Sequence, residues 1–135
     1  MDKLEQIADA LHQGWLEYQR RAGRALGPER TPKTQPHKLP WSDLDEESRN
    51  QDRFIAAVLL ADWIRGALAK DDLPRAIHET WMLWEHLHGN SHPHAQPYPM
   101  AHAHGPDEHA LQASRIAAFL EEISPLSRLA SSSSR

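Results

Sequence analysis

Apolar residues recur along most of this chain with helical spacing. Between residues 3 and 21, Leu4, Ile7, Ala8, Leu11, Trp15 and Tyr18 form one stripe, the i, i+3, i+4, i+7 pattern of an amphipathic helix. Residues 23–41 contain two glycines and four prolines and predict a loop. A second helix is predicted from Ser42 or Asp43, either of which can cap it, with Glu46 and Glu47 at the positive end of the helix dipole. Its stripe of Phe54, Ala57, Val58, Ala61, Ile64 and Leu68 carries it to around Lys70. Leu73-Pro74 opens a third helix, because proline at the first helical position sacrifices no hydrogen bond. Ile77, Trp81, Trp84 and His88 line it, and Gly89 stops it. A loop rich in histidine and proline over 90–105 leads into a fourth helix from Pro106, carrying Leu111, Ala113, Ile116, Ala117, Leu120 and Ile123. No stretch alternates with period two over a useful length, so the predicted class is all-α. The Ser-rich end, residues 124–135, predicts disorder.

Composition narrows the function classes. The 135 residues suit one small domain, with 19 acidic against 15 basic side chains and a formal net charge of −4. An acidic balance argues against wholesale nucleic-acid binding. The longest clean apolar run, Ile55–Ala61, is far too short for a membrane span, and the opening Met1-Asp2-Lys3-Leu4-Glu5 lacks the pattern of a secretion signal. The expectation is a cytoplasmic protein. With no cysteine there is no disulfide framework, thiolate nucleophile or cysteine-based zinc site. Catalytic patterns are missing too: His78-Glu79 would need a histidine at 82 for a zinc-protease motif, and that position is Met82. No phosphate-cradling glycine loop or nucleophile elbow is present. The chain is therefore expected not to be an enzyme, and to need no cofactor.

The helices read as two similar halves. His12-x-x-Trp15-x-x-Tyr18 returns as His78-x-x-Trp81-x-x-Trp84, Pro40-Trp41 as Pro97-Tyr98, and Asp45-Glu46 with Arg53 as Asp107-Glu108 with Arg115. The expected architecture is two tandem helix–long loop–helix hairpins packed together, residues 1–72 and 73–123, followed by the tail 124–135.

Three constellations carry candidate chemistry, and each has a plainer reading. Trp15 and Trp81 sit on apolar helix faces that pseudo-symmetry would bring together, so they can stack a planar ligand or serve as core tryptophans. His12 and His78, one turn earlier, either bond a backbone carbonyl or approach the ligand's polar edge. Between 19 and 40, Arg20, Arg21, Arg24, Arg30, Lys33 and Lys38 face only Glu29, which fits phosphate binding or neutralisation by the acidic stretch 41–52. Seven of the ten histidines fall within 86–109, at His86, His88, His92, His94, His102, His104 and His109. Without cysteine or an ordered helical pair they fit incidental metal contact better than a metal site.

Ile7-Ala8 with His12-x-x-Trp15, then Gly23 to Gly27-Pro28, His37, and Pro40-Trp41-Ser42-Asp43-Leu44-Asp45-Glu46-Glu47 resemble the ryanodine receptor (RYR) repeat domain family. Residues 4–68 resemble one copy and 74–123 a more diverged second one. Arg24 and Leu26 replace the aromatic pair of the family's turn, Lys38 follows His37 in place of proline, and the second copy lacks the turn. The resemblance implies an all-α tandem pair that accepts an adenine nucleotide or related small molecule between repeats, stacked by Trp15 and Trp81. The candidate ligand-binding set is Trp15, Trp81, His12, His78, Tyr18 and Trp84, with Arg20, Arg24 and Lys38 near the anionic part. No metal site is assigned. A protein-interaction module with buried aromatics is the alternative expectation, and a metal-binding histidine loop the third.

Overall fold

The computed structural model describes residues 2–21, 40–89 and 106–123. They form four α-helices: α1 (Lys3–Arg21), α2 (Glu46–Ile64), α3 (Leu73–Leu87) and α4 (Pro106–Glu121). Single 3-10 turns over Trp41–Asp43 and Lys70–Asp72 precede α2 and α3. Among the described residues there is no strand, so the class is all-α. The Ser-rich tail and most of both predicted loops lie outside the described residues.

Local chemistry sets the helix ends. Asp2 Oδ1 accepts the Glu5 N–H at 2.9 Å, satisfying a free donor at the start of α1. Asp45, not Ser42 or Asp43, caps α2, taking the Ser48 N–H at 2.8 Å. Ser42 and Asp43 belong to the 3-10 turn, so the helix begins one turn later than their capping potential predicts. The end of α2 is also corrected, from around Lys70 to Ile64. Gly66 adopts φ +77°, and the N–H groups of Gly66 and Ala67 bond back to the carbonyls of Trp63 and Asp62. That is the glycine-terminated Schellman closure. Pro74 opens α3 as predicted, and Gly89, at φ +66°, follows its last turn.

Each helix packs against its neighbours in chain order, and α4 returns to α1 to make the most extensive interface. Lys3 pairs with Glu122, and Arg115 with Glu17 at 3.0 Å, so α1 and α4 run antiparallel. Lys70 to Glu121 at 2.7 Å and His78 to His109 at 3.1 Å show the same for α3 and α4. The short turn after α2 reverses the chain again, bringing Phe54 and Trp84 to 5.5 Å between ring centroids. The last turns of α1 and α3 therefore lie toward the first turn of α4, while Arg53 of α2 ties Glu5 in the first turn of α1, at 2.6 Å, to Glu46 in the first turn of its own helix, at 2.9 Å.

The core comprises Ile7, Leu11, Ile55, Leu59, Leu73, Ile77, Ile116 and Leu120, with Trp41, Leu44 and Trp63 at its margins. The stripes on α1, α3 and α4 largely face it. On α2 the buried residues are Ile55, Ala56, Leu59 and Trp63, while Ala57 and Ala61 of the predicted stripe are exposed. Residues 54–64 are apolar almost all round, so periodicity offers two equivalent faces and only packing selects one.

Candidate functional site

The two His–Trp motifs are the natural starting point. Both histidines are buried, His12 and His78 each at 2% exposure. His12 packs its ring 6.1 Å from Trp15, nearly parallel at 19°, and 6.2 Å from Trp41. The His78 ring lies 5.7 Å from Trp81. Thus each tryptophan rests on the histidine one turn before it. The tryptophans buried in the core are Trp41 and Trp63; Trp15, Trp81 and Trp84 are only half-buried. Trp63 also donates its Nε1–H to the Ile123 carbonyl at 2.8 Å, which makes it a structural strut.

On one side of the bundle, α2 presents Asp52 to His12, with Oδ2 4.0 Å from Nδ1. That separation exceeds hydrogen-bonding distance. The Asp52 side chain is 17% exposed, and one turn earlier on α2 the Arg49 Nε is buried without a hydrogen-bond partner among the described residues. Burial pushes the Asp52 carboxyl up to about 8, and the negative charge of Asp9 pushes the same way. Asp9 itself accepts from Gln13 Nε2 at 3.1 Å. Asp52 continues the buried Ile55–Ala56–Leu59 face of α2 one turn toward its start, a carboxylate on an apolar stripe. The sequence carries that signal, but the stripe one residue away is equally apolar and hides it.

On the other side a buried polar chain crosses the bundle. His78 Nδ1 meets His109 Nε2 at 3.1 Å, His109 Nδ1 meets Gln112 Oε1 at 3.0 Å, and Gln112 Nε2 donates to the Leu11 carbonyl at 3.1 Å. The last bond orients the rest. A carbonyl only accepts, so the Gln112 amide nitrogen donates and its oxygen must accept from His109 Nδ1–H. One proton remains to bridge the two imidazoles. The chain ends at the residue before His12, linking both motifs through α4. Gly14 makes room for it: a Cβ there would sit 2.6 Å from the Gln112 Cα. His109 and Gln112, spaced i, i+3, are not marked by the sequence pattern, because His109 reads as the last of the loop histidines.

The remaining candidates divide clearly. Tyr18 is half-buried on α1. Arg20 is exposed and pairs with Glu17 at 3.2 Å. Glu17 also receives Arg21 and Arg115, each at 3.0 Å, and the Arg21 hydrogen bond leads in holding its carboxyl below the usual range. Trp84 stacks on His88 at 3.8 Å. His88 lies beyond the end of α3 and is exposed, which corrects its placement on the core stripe: once Leu87 ends the helix, the period no longer applies. Arg24 and Lys38 lie outside the described residues, as do His92, His94, His102 and His104. Among the described residues no group of three metal-ligating side chains is assembled, and no helix is long and apolar enough to cross a membrane.

Comparison with known proteins returns no matching family model, no matching curated protein and no matching solved structure.

Proposed function

We propose that this protein is a non-enzymatic, cytoplasmic small-ligand-binding module of the RYR-repeat type. Its repeats span residues 1–72 and 73–123, and Trp15 and Trp81 hold an adenine nucleotide or related molecule between them. The observation that supports this reading is that Trp15 and Trp81 are each only partly buried, Trp81 resting against the core, while Trp41 and Trp63 are buried within it. Stacking of a flat ring on a tryptophan is worth roughly 1–3 kcal/mol per base. Charge near the end of α1 supports the same reading. Three guanidinium groups, Arg20, Arg21 and Arg115, converge on the single carboxylate of Glu17, an excess of positive charge beside Trp15. In this reading Tyr18 and Trp84, both partly buried, flank the ligand, the buried His12 and His78 back the two tryptophans, and Arg24 and Lys38 lie on the segment connecting α1 to α2.

The test is a thermal-shift screen against adenine nucleotides, cyclic dinucleotides and NAD, repeated on Trp15→Ala. A ligand at about 100 times its Kd adds about 2.7 kcal/mol of stability. The reading expects a raised Tm that Trp15→Ala abolishes while remaining folded. No shift with any of these compounds would overturn it.

One observation favours a protein-interaction module instead. Leu83 and Leu87, one turn apart on α3, are 44% and 60% exposed. Sedimentation of the native protein against Leu83→Lys/Leu87→Lys would reveal self-association through this face.

A further inference from the structure

We infer that His78 and His109 form an acid-sensitive latch, which holds the first two turns of α4 on α3 and releases them when both rings become charged. His78 Nδ1 and His109 Nε2 face each other at 3.1 Å, and the His109 Nδ1–H is committed to Gln112 Oε1. Only one hydrogen fits between the facing nitrogens. A neutral pair satisfies this arrangement, with His78 donating, and so does a pair carrying one charge. With both rings charged, all four ring nitrogens carry hydrogen, so two N–H groups meet head-on and the bond is lost. His78 is 2% exposed and the ring centroids are 5.0 Å apart, so two positive charges there also repel at close range.

That loss falls where α4 has least else to hold it. The residues that α4 contributes to the core are Ala113, Ile116, Ala117 and Leu120. Before Ala113, among the described side chains of α4, Gln112 is buried, Glu108, His109 and Leu111 are half-buried, and Ala110 is exposed. At the other end of the helix, Glu121 pairs with Lys70 and Glu122 with Lys3, fastening it to the starts of α3 and α1. Losing the histidine bond therefore frees the start of α4 before its end.

The charged and titratable surroundings do not reverse this. On α3, Arg75 stands one turn before His78 and Glu79 follows it; on α4, Glu108 precedes His109. Glu17 of α1 is engaged by Arg20, Arg21 and Arg115. His12, next to the Leu11 carbonyl that ends the polar chain, faces Asp52 of α2 at 4.0 Å. A carboxylate can favour a charge on one ring, but it cannot make room for a second hydrogen between Nδ1 and Nε2. In the unfolded chain each imidazole takes up its proton near about pH 6.5. The closed latch excludes at least one of the two, so its stabilisation is present above that pH and falls as pH drops through it, about tenfold in the folding equilibrium per pH unit for each proton excluded.

Long-range 1H–15N NMR of the imidazole rings in the full chain, from about pH 7.5 to about pH 5, tests this beside amide hydrogen exchange corrected for its intrinsic pH dependence. At most one of His78 and His109 is expected to be charged while the first two turns of α4 stay protected. As the second ring charges, protection there should fall before protection around Ile116 and Leu120 does. Two charged rings with the start of α4 still protected overturn the inference. His78→Asn gives a second measure. Its amide donates to a neutral His109 and can turn its oxygen toward a charged one, so the exclusion is gone. Between about pH 6.5 and about pH 5.5, urea denaturation should show the native protein losing about tenfold more of its folding equilibrium than His78→Asn. Asp52 and His12 are common to both proteins and cancel in that difference. Equal pH slopes overturn the inference, and if His78→Asn does not fold, the NMR titration of the native chain decides alone.

Discussion

His78 on α3 and His109 on α4 share a single hydrogen bond, Nδ1 to Nε2 at 3.1 Å, inside the bundle. Because His109 must donate to Gln112, the histidine pair holds one bridging proton, and the whole chain depends on both rings. His109→Ala would remove the hydrogen bonds that His109 makes with His78 Nδ1 and Gln112 Oε1. Each buried unsatisfied group costs about 1–3 kcal/mol, so urea denaturation should show a loss of about 2 kcal/mol or more. The double variant His78→Ala/His109→Ala should cost less than the sum of the single changes. Additive costs would mean that the two rings do not act as a unit.

Gly14 tests the same crossing from the α1 side. A methyl group there meets the backbone and side chain of Gln112 at 2.6–2.9 Å. Alanine normally favours a helix over glycine by about 1 kcal/mol. Here Gly14→Ala should instead destabilise by about 1–3 kcal/mol, since backbone cannot yield as a flexible side chain can. A raised Tm would show that α1 and α4 sit farther apart than described.

Asp52 gives stability a distinctive pH dependence. Its folded pKa, about 8, lies above the ordinary 3.8, so between these values the folded chain keeps a proton that the unfolded chain has lost. Its contribution is full below the unfolded value and falls as pH rises toward about 8, with a slope of up to about 1.4 kcal/mol per pH unit. Asp52→Asn should flatten the stability profile across that window. Glu17 and Glu46, both held below 4.5, act in the opposite sense and only in acid, so they do not mask it.

The tryptophans should separate by role. Trp41→Ala removes a side chain that is 7% exposed and packed on His12, and should cost about 3–5 kcal/mol. Trp15→Ala removes a half-buried ring and should cost clearly less. Equal losses of stability in denaturant titrations would return Trp15 to the core.

Much of the local structure is legible in the chain because its causes are local. Leu4 to Tyr18 repeat at helical spacing, Pro74 suits a first turn, and Gly89 suits a left-handed terminus. Gly66 carries the same kind of signal at the end of α2, but the apolar residues on either side of it mask it. The all-α class follows from these stripes without any contact between distant residues.

Packing settles what the stripes leave open. On α2, residues 54–64 offer two apolar faces, and contact with α1 chooses the one that carries Asp52 toward His12. The fold of α4 back onto α1 and α3 places His109 and Gln112 between them, pairing residues 31 and 101 positions apart. In the packed bundle Trp41 and Trp63 are buried, while Trp15 and Trp81 are only partly buried. Helices and most of their ends can be read residue by residue, because propensity, capping and periodicity act within a few positions. The buried polar partners exist only once the helices have docked, because a hydrogen bond across the bundle leaves no periodic trace along the chain.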